Sequence, residues 1–157
     1  MRLASLILLP LLLSACAASQ IIPETPPPAS VSREPTRVLD RDGLSRLLAN
    51  KGVTLQWIDW NQRGSANARW EGDRLLLTAA QTKSGAGRLF LDGQVMEIGS
   101  DYFVFRGVIR IEDAPDKGRR CEVSKDWRFA VTQNRPYWRL REFEWCDGLT
   151  DYIDVYF

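Results

Sequence analysis

The chain has 157 residues, with 21 basic and 20 acidic side chains and no histidine. This near-neutral balance lacks the positive surplus with which proteins hold nucleic acid, so no nucleic-acid partner is expected. Without histidine the chain has no Ser-His or Cys-His pair and lacks the commonest transition-metal ligand. It also contains no phosphate loop or dinucleotide fingerprint. We therefore predict no cofactor, no metal site and no catalytic residue.

The first 15 residues have the pattern of an export signal. Arg2 precedes an apolar run that is shorter than the roughly 20 residues of a membrane-spanning helix. The run ends in LSAC, residues 13–16, which resembles the bacterial lipobox. That resemblance implies cleavage before Cys16 and attachment of lipid to its thiol, so the expected partner is a membrane held through a lipid anchor. Ala17, in place of an aspartate, implies the outer membrane of a bacterium, on its periplasmic face.

A second interpretation of the same residues stays open. Residues 15–17, Ala-Cys-Ala, also fit the small-residue cleavage site of ordinary secretion. In that case the chain would be a secreted or periplasmic protein without an anchor.

Residues 16–37 are predicted to be a lipidated cysteine followed by a proline-rich linker. Five of the eight prolines fall here, among Ala, Ser, Thr and Glu. Such a composition buries too little apolar surface to fold, and its prolines favour an extended spacer of about 3.1 Å per residue.

The remaining residues, 38–157, are enough for a single domain with its own core. It is predicted to begin with a short helix that Asp40 or Asp42 caps. Lys51 and Gly52 are expected to end this helix. The apolar stripe of the helix consists of Leu44, Leu47 and Leu48.

After Gly52 the apolar residues alternate with polar ones, which is typical of strands. Polar turns rich in Gly, Asp and Ser separate the runs. The fold is therefore predicted to be mostly β, a small antiparallel β-barrel or sandwich. The predicted strand segments are 53–57, 75–80, 89–95 and 103–111.

Cys121 and Cys146 predict one disulfide, since an exported domain with two cysteines normally pairs them. A tight turn at Gln133 and Asn134 places these cysteines opposite each other in a hairpin. Pro136 lies close to that turn, so a bulge that moves the register by one or two residues stays an alternative. The unshifted register predicts the cross-strand pairs Phe129–Trp138, Trp127–Leu140, Lys125–Glu142 and Asp126–Arg141.

One side of this hairpin is predicted to carry alternating arginine and aromatic residues, which suit a carboxylate, a phosphate or a protein partner. It is the candidate binding surface. Its members are Tyr137, Arg139, Arg141, Phe143 and Trp145, with Arg128 nearby.

The last residues, 151–157, are predicted to be a closing strand with Asp154 on its outward side. Asp147, Asp151 and Asp154 also raise a calcium hypothesis, although their spacing does not match a calcium loop. Together with Glu142 and Glu144 they are the candidates for carboxylate chemistry on a glycan.

Two stretches, GVTLQWIDWNQRG (residues 52–64) and YWRLREFEWCDGLTDYIDVYF (residues 137–157), resemble the two ends of an uncharacterised family of small exported bacterial proteins. The resemblance implies no activity, ligand or site residue. By architecture alone, the chain is also similar to periplasmic lipoproteins that inhibit lysozymes or proteases.

These observations predict a lipid-anchored envelope protein that binds an envelope protein or a glycan without catalysis. Two alternatives stay open. One is an inhibitor of a wall hydrolase or protease, and the other is a carboxylate-dependent enzyme that acts on glycan.

Overall fold

The computed structural model describes residues 34–157. The predicted signal peptide, Cys16 and most of the predicted linker lie outside these described residues. Within them the chain forms one helix and nine strands. In chain order the elements are β1 (Arg37–Val38), α1 (Arg41–Leu48), β2 (Val53–Leu55), β3 (Ser65–Glu71), β4 (Arg74–Lys83), β5 (Gly87–Ile98), β6 (Tyr102–Glu112), β7 (Arg120–Ala130), β8 (Tyr137–Leu140) and β9 (Ile153–Tyr156).

Eight of these strands form one antiparallel sheet in the order β2–β9–β8–β7–β6–β5–β4–β3, and β1 pairs in parallel with the end of β5. The two outermost strands meet where the backbones of Val53 and Gly64 exchange hydrogen bonds of 3.1 and 2.8 Å. This contact nearly closes the sheet into a barrel. The predicted mostly-β fold with one short helix is confirmed, and its form is barrel-like.

Alternation of apolar and polar residues explains why these segments are strands. In β6, Phe103, Phe105, Ile109 and Ile111 are fully buried, and the residues between them are mostly half-buried. The two bulkiest interior side chains are Trp127 and Trp138, both with no exposed surface. Large rings of this kind fill the interior that eight strands enclose.

Helix α1 begins as predicted and ends earlier than predicted. The Asp40 carboxylate accepts a hydrogen bond of 2.7 Å from the Gly43 N–H and caps the helix. The helix stops at Leu48 rather than beside Gly52, because the Asn50 side chain donates to the carbonyl of Leu47, 2.9 Å away. The N–H of Lys51 then bonds the Tyr156 carbonyl, which draws the chain into the sheet.

The hairpin of β7 and β8 has the predicted turn, and its register is the shifted alternative rather than the unshifted one. Gln133 and Asn134 occupy the turn, with φ of 55° and 53°. Phe129 lies opposite Leu140 instead of Trp138, a shift of two residues. Pro136 has no N–H to donate, so strand pairing begins only after it. Because the shift is even, each side chain keeps its predicted side of the sheet.

Cross-strand partners on the hairpin change accordingly. Lys125 still pairs with Glu142. Asp126 pairs with Arg106 on β6, at 2.6 Å, rather than with Arg141. Cys121 and Cys146 form the predicted disulfide, with Cα atoms 5.8 Å apart.

The residues that lead into β1 are bonded to the barrel wall. The Thr36 hydroxyl donates to the Val95 carbonyl, and the Gln94 amide donates to the Glu34 carbonyl, both at 2.6 Å. Between residues 34 and 157, no helix has the length and hydropathy needed to cross a bilayer.

Candidate functional site

The outer side of β8 and β9 is the part of the surface where arginine and aromatic side chains meet. Trp138 and Leu140 of β8 point into the core, so Tyr137 and Arg139, which alternate with them, point outward. Asp154 of β9 lies opposite Arg139 in the pairing of these strands. This strand pair therefore places a cation, an anion and a ring on one outer surface.

Further rings and arginines surround this strand pair. The Arg139 guanidinium lies 4.3 Å from the centre of the Tyr152 ring, and the Tyr152 ring is 5.2 Å from that of Phe143. We call the whole set the arginine–aromatic face. Its arginines are Arg63, Arg128, Arg135, Arg139 and Arg141, and its rings are Trp60, Tyr102, Tyr137, Phe143, Tyr152 and Tyr156.

The centre of the arginine–aromatic face is a buried ion pair. Arg139 Nε and Nη2 each donate to one carboxylate oxygen of Asp154, both at 2.7 Å. The Asp154 side chain has no exposed surface, and that of Arg139 is 12 % exposed. Burial raises the pKa of Asp154, and the hydrogen bonds from Arg139 oppose that rise. Asp154 lies on the outward side of the closing strand, as predicted, but Arg139 and the surrounding rings cover it there, so it has no exposed surface.

The rim of the arginine–aromatic face is open to solvent. Trp60 is 44 % exposed, and Arg139 lies 5.7 Å from the centre of its ring. Arg63 and Arg141 are exposed as well, each stacked over an aromatic ring at 3.9 and 5.1 Å respectively. The surface thus combines a rigid, paired centre with accessible rings and cations.

The structure places five of the six residues of the predicted binding surface on the arginine–aromatic face, all except Trp145. Tyr137, Arg139 and Arg141 belong to it, and the N–H of Arg141 bonds the carbonyl of Arg128 at 2.8 Å. Trp145 does not, since its ring packs edge-on against the buried ring of Trp127, with centres 5.2 Å apart. Strand β8 ends at Leu140, so the two-residue alternation that predicted Trp145 does not continue through the loop.

Sequence reasoning missed other members of the arginine–aromatic face. Trp60 and Arg63 come from the loop between β2 and β3, and Tyr152 and Tyr156 come from the last strand region. All four lie in the two stretches on which the family resemblance rests. Their presence in these two stretches was the one sequence feature that could have identified them. The spacing of residues does not show that the two stretches meet in the fold.

A second, partly buried cluster of charged side chains lies beside the disulfide. Arg119 donates four hydrogen bonds of 2.7–2.9 Å, two to Asp147 and two to Asp151. Trp57 Nε1 also donates to Asp151, which is fully buried. The Arg119 guanidinium holds the pKa of Asp147 at about 2. This cluster ties the loop between β8 and β9 to the loop before β7.

The aspartates of the calcium hypothesis are divided between two arginines. Asp147 and Asp151 share Arg119, whereas Asp154 is bonded to Arg139. The sulfur atoms next to Asp147, those of Cys121 and Cys146, are joined in the disulfide and offer no thiolate ligand.

Several grooves lie away from the arginine–aromatic face. Four grooves of about 230–440 Å³ open elsewhere on the described part of the molecule, and none of these four is lined by residues of that face. Small-molecule sites are concave, whereas open surfaces rich in Arg, Tyr and Trp are typical of contacts between macromolecules.

Comparison with known proteins identifies relatives of the chain. An uncharacterised protein of Pasteurella multocida (strain Pm70), PM1083, is 30% identical over 115 residues, which are 72% of this chain and 74% of that protein. No solved structure matches the chain. The sequence pattern of the PM1083 family matches residues 35–157. The predicted resemblance to an uncharacterised bacterial family is confirmed, and the chain belongs to the PM1083 family.

Proposed function

We propose that this protein is a lipid-anchored envelope protein that binds a macromolecular partner, without catalysis, through the arginine–aromatic face. The observation that carries the proposal is the continuity of that face. Rings and guanidinium groups from β8, β9, the β2–β3 loop and the β8–β9 loop are in contact there, with Trp60 exposed at its rim. Trp, Tyr and Arg are the residues that contribute most to binding at protein interfaces.

Burial of the central ion pair supports this proposal further. A face whose central side chains are held by Asp154 loses little conformational entropy when a partner binds. Because these side chains are already ordered, less of the favourable free energy of contact with the partner is offset by lost entropy.

The proposed location follows from the lipobox at residues 13–16. Acylation of Cys16 would hold the chain at the outer membrane, and the proline-rich linker would let the barrel reach into the periplasm. Replacement Cys16→Ser should move the protein from the membrane fraction to the soluble periplasmic fraction. An unchanged membrane fraction for this variant would contradict the anchor.

Two of the candidate carboxylates, Asp147 and Asp154, give little support to a glycan-cleaving enzyme. A general acid needs a raised pKa and access to substrate. Asp147 has a pKa of about 2, and Asp154 has a raised pKa but no exposed surface. Neither side chain combines the two requirements.

The binding proposal is tested by crosslinking in living cells. A photoreactive phenylalanine derivative replaces Trp60, and in a separate strain it replaces Trp70. These two tryptophans are a matched pair, with exposures of 44 % and 42 %, but Trp70 lies on β3 away from the arginine–aromatic face. We expect a discrete crosslinked species from position 60 and none from position 70.

The identity of the crosslinked species separates the remaining alternatives. A wall hydrolase or protease at position 60, inhibited by the purified protein at stoichiometric dose, would assign the inhibitor role. Equal labelling of abundant proteins from both positions, or no adduct at all, would contradict binding through this face.

A further inference from the structure

We infer that the partner bound by the arginine–aromatic face is a protein with an acidic surface. This inference rests on the proposed function and specifies the chemistry of the partner. It comes from the arginines of this face that form no ion pair within the described part of the chain, unlike Arg139, which is paired with Asp154.

Arg63, Arg128, Arg135 and Arg141 make no ion pair with a carboxylate among the described residues, in contrast to Arg139. Elsewhere on the barrel, exposed arginines such as Arg88 and Arg120 are paired with glutamate. These four guanidinium groups are therefore not held in an ion pair by a described carboxylate.

Each of these four arginines lies over an aromatic ring. The distance from guanidinium carbon to ring centre is 3.9 Å for Arg63, 4.0 Å for Arg128 and 5.1 Å for Arg141. A guanidinium stacked by its flat side keeps its N–H groups, which lie in its plane, free for a carboxylate. The rings also restrict the side chain before binding, so less entropy is lost when an ion pair forms.

The mixture of groups favours a protein over an anionic glycan or lipid. The cations are separated by Trp60, Tyr137 and Tyr152, which offer apolar area between charges. A protein surface supplies both carboxylates and apolar side chains, as interfaces require. Anionic glycans and lipid headgroups carry charge but offer little apolar surface next to it.

The test uses the full chain in detergent and two fluorescent peptides of the same length. One alternates aspartate and glutamate with tyrosine and leucine, and the other replaces each acid by its amide. At about 20 mM salt we expect the acidic peptide to bind at least about tenfold more tightly than the amide peptide, and about 300 mM salt to remove most of this difference. Equal affinities for the two peptides would overturn the inference.

A triple variant locates the binding. Arg63→Gln, Arg128→Gln and Arg141→Gln together should weaken the acidic peptide about tenfold, since each exposed ion pair contributes a factor of up to about five. Arg135 is left unchanged because it donates a hydrogen bond of 2.8 Å to the Tyr137 hydroxyl. Arg69→Gln is the matched control, since Arg69 is exposed and has no ion pair among the described residues but lies on β3.

Two results would overturn the assignment to this face. One is an equal loss of affinity for the acidic peptide in Arg69→Gln, and the other is an unchanged affinity in a triple variant that has native circular dichroism. Arg141→Gln alone serves if the triple variant does not fold.

Polygalacturonate and phosphatidylglycerol vesicles are the remaining probes, and binding of either one without the acidic peptide would overturn the choice of a protein. A specific adduct at position 60 with no preference for acidic peptide would refute this inference but leave the proposed function standing, whereas absence of that adduct would refute the proposed function itself.

Discussion

Replacement of Arg139 by methionine is expected to destabilise the barrel strongly. The change removes both hydrogen bonds to Asp154 and leaves a carboxylate that has no exposed surface without its counter-charge. Breaking a buried ion pair by removing one partner costs about 3–5 kcal/mol. Because the Arg139 side chain is only 12 % exposed, solvent screening reduces this loss little.

The pH dependence of this loss distinguishes an isolated charge from simple loss of packing. Burial already raises the pKa of Asp154 above its usual value of 3.8, and removal of Arg139 should raise it further. A carboxyl group whose folded-state pKa is raised binds more protons in the folded than in the unfolded state, so its penalty falls as the pH falls through that pKa. The difference between Arg139→Met and the unchanged chain should therefore shrink on acidification.

Urea unfolding followed by tryptophan fluorescence measures both effects, at a pH of about 7 and at successively lower values. The double variant Arg139→Met with Asp154→Leu removes both charges, and it should lie within about 2 kcal/mol of the unchanged chain. A loss below about 1 kcal/mol in the single variant would refute the argument. So would a loss that does not depend on pH, or a double variant no more stable than the single one.

Three further predictions concern other parts of the barrel. Asp147 has its folded-state pKa lowered from 3.8 to about 2, so its contribution to stability is present above a pH of about 4 and lost towards 2. Asp147→Asn should therefore be less stable than the unchanged chain at neutral pH and converge with it in acid, whereas parallel pH profiles would contradict this. Removing the disulfide by Cys121→Ala with Cys146→Ala should lower the free energy of unfolding by about 3.5 kcal/mol, because the unfolded chain regains the freedom of a loop of about 26 residues. An unchanged urea midpoint would refute that estimate. Gly64→Ala would place a Cβ 2.1 Å from the Ala80 carbonyl oxygen, where the sheet closes, and should cost about 2 kcal/mol in urea unfolding. A variant as stable as the unchanged chain would mean that the closure is looser than described.

Local patterns are sufficient to predict most of the elements. The leucine spacing and Asp40 identify the helix and its beginning, because a cap and an apolar stripe are properties of adjacent residues. Alternation over 89–95 and 103–111 identifies two long strands for the same reason. The turn at Gln133 and Asn134 is likewise local.

The register of the hairpin of β7 and β8 is affected by Pro136. Pro136 indicates that pairing is disturbed but not by how many residues, since the shift depends on how Trp138 fits the core. A displacement by two residues keeps Trp138 inside, where it has no exposed surface. The unshifted register would also keep it inside, so packing of the barrel interior excludes only a shift of one residue.

The alternation of apolar and polar residues is sufficient to indicate a mostly β domain, and the two cysteines of that domain are sufficient to indicate one disulfide. Both features can be read from the order of residues along the chain. They also identify Tyr137, Arg139 and Arg141 as neighbours on one side of a strand. The partners of these residues come from segments as distant as Trp60 and Asp154, which meet only when the sheet closes. Whether an arginine is free to bind a partner or is neutralised by a buried carboxylate depends on those distant contacts, so the tertiary structure alone distinguishes Arg139 from Arg141.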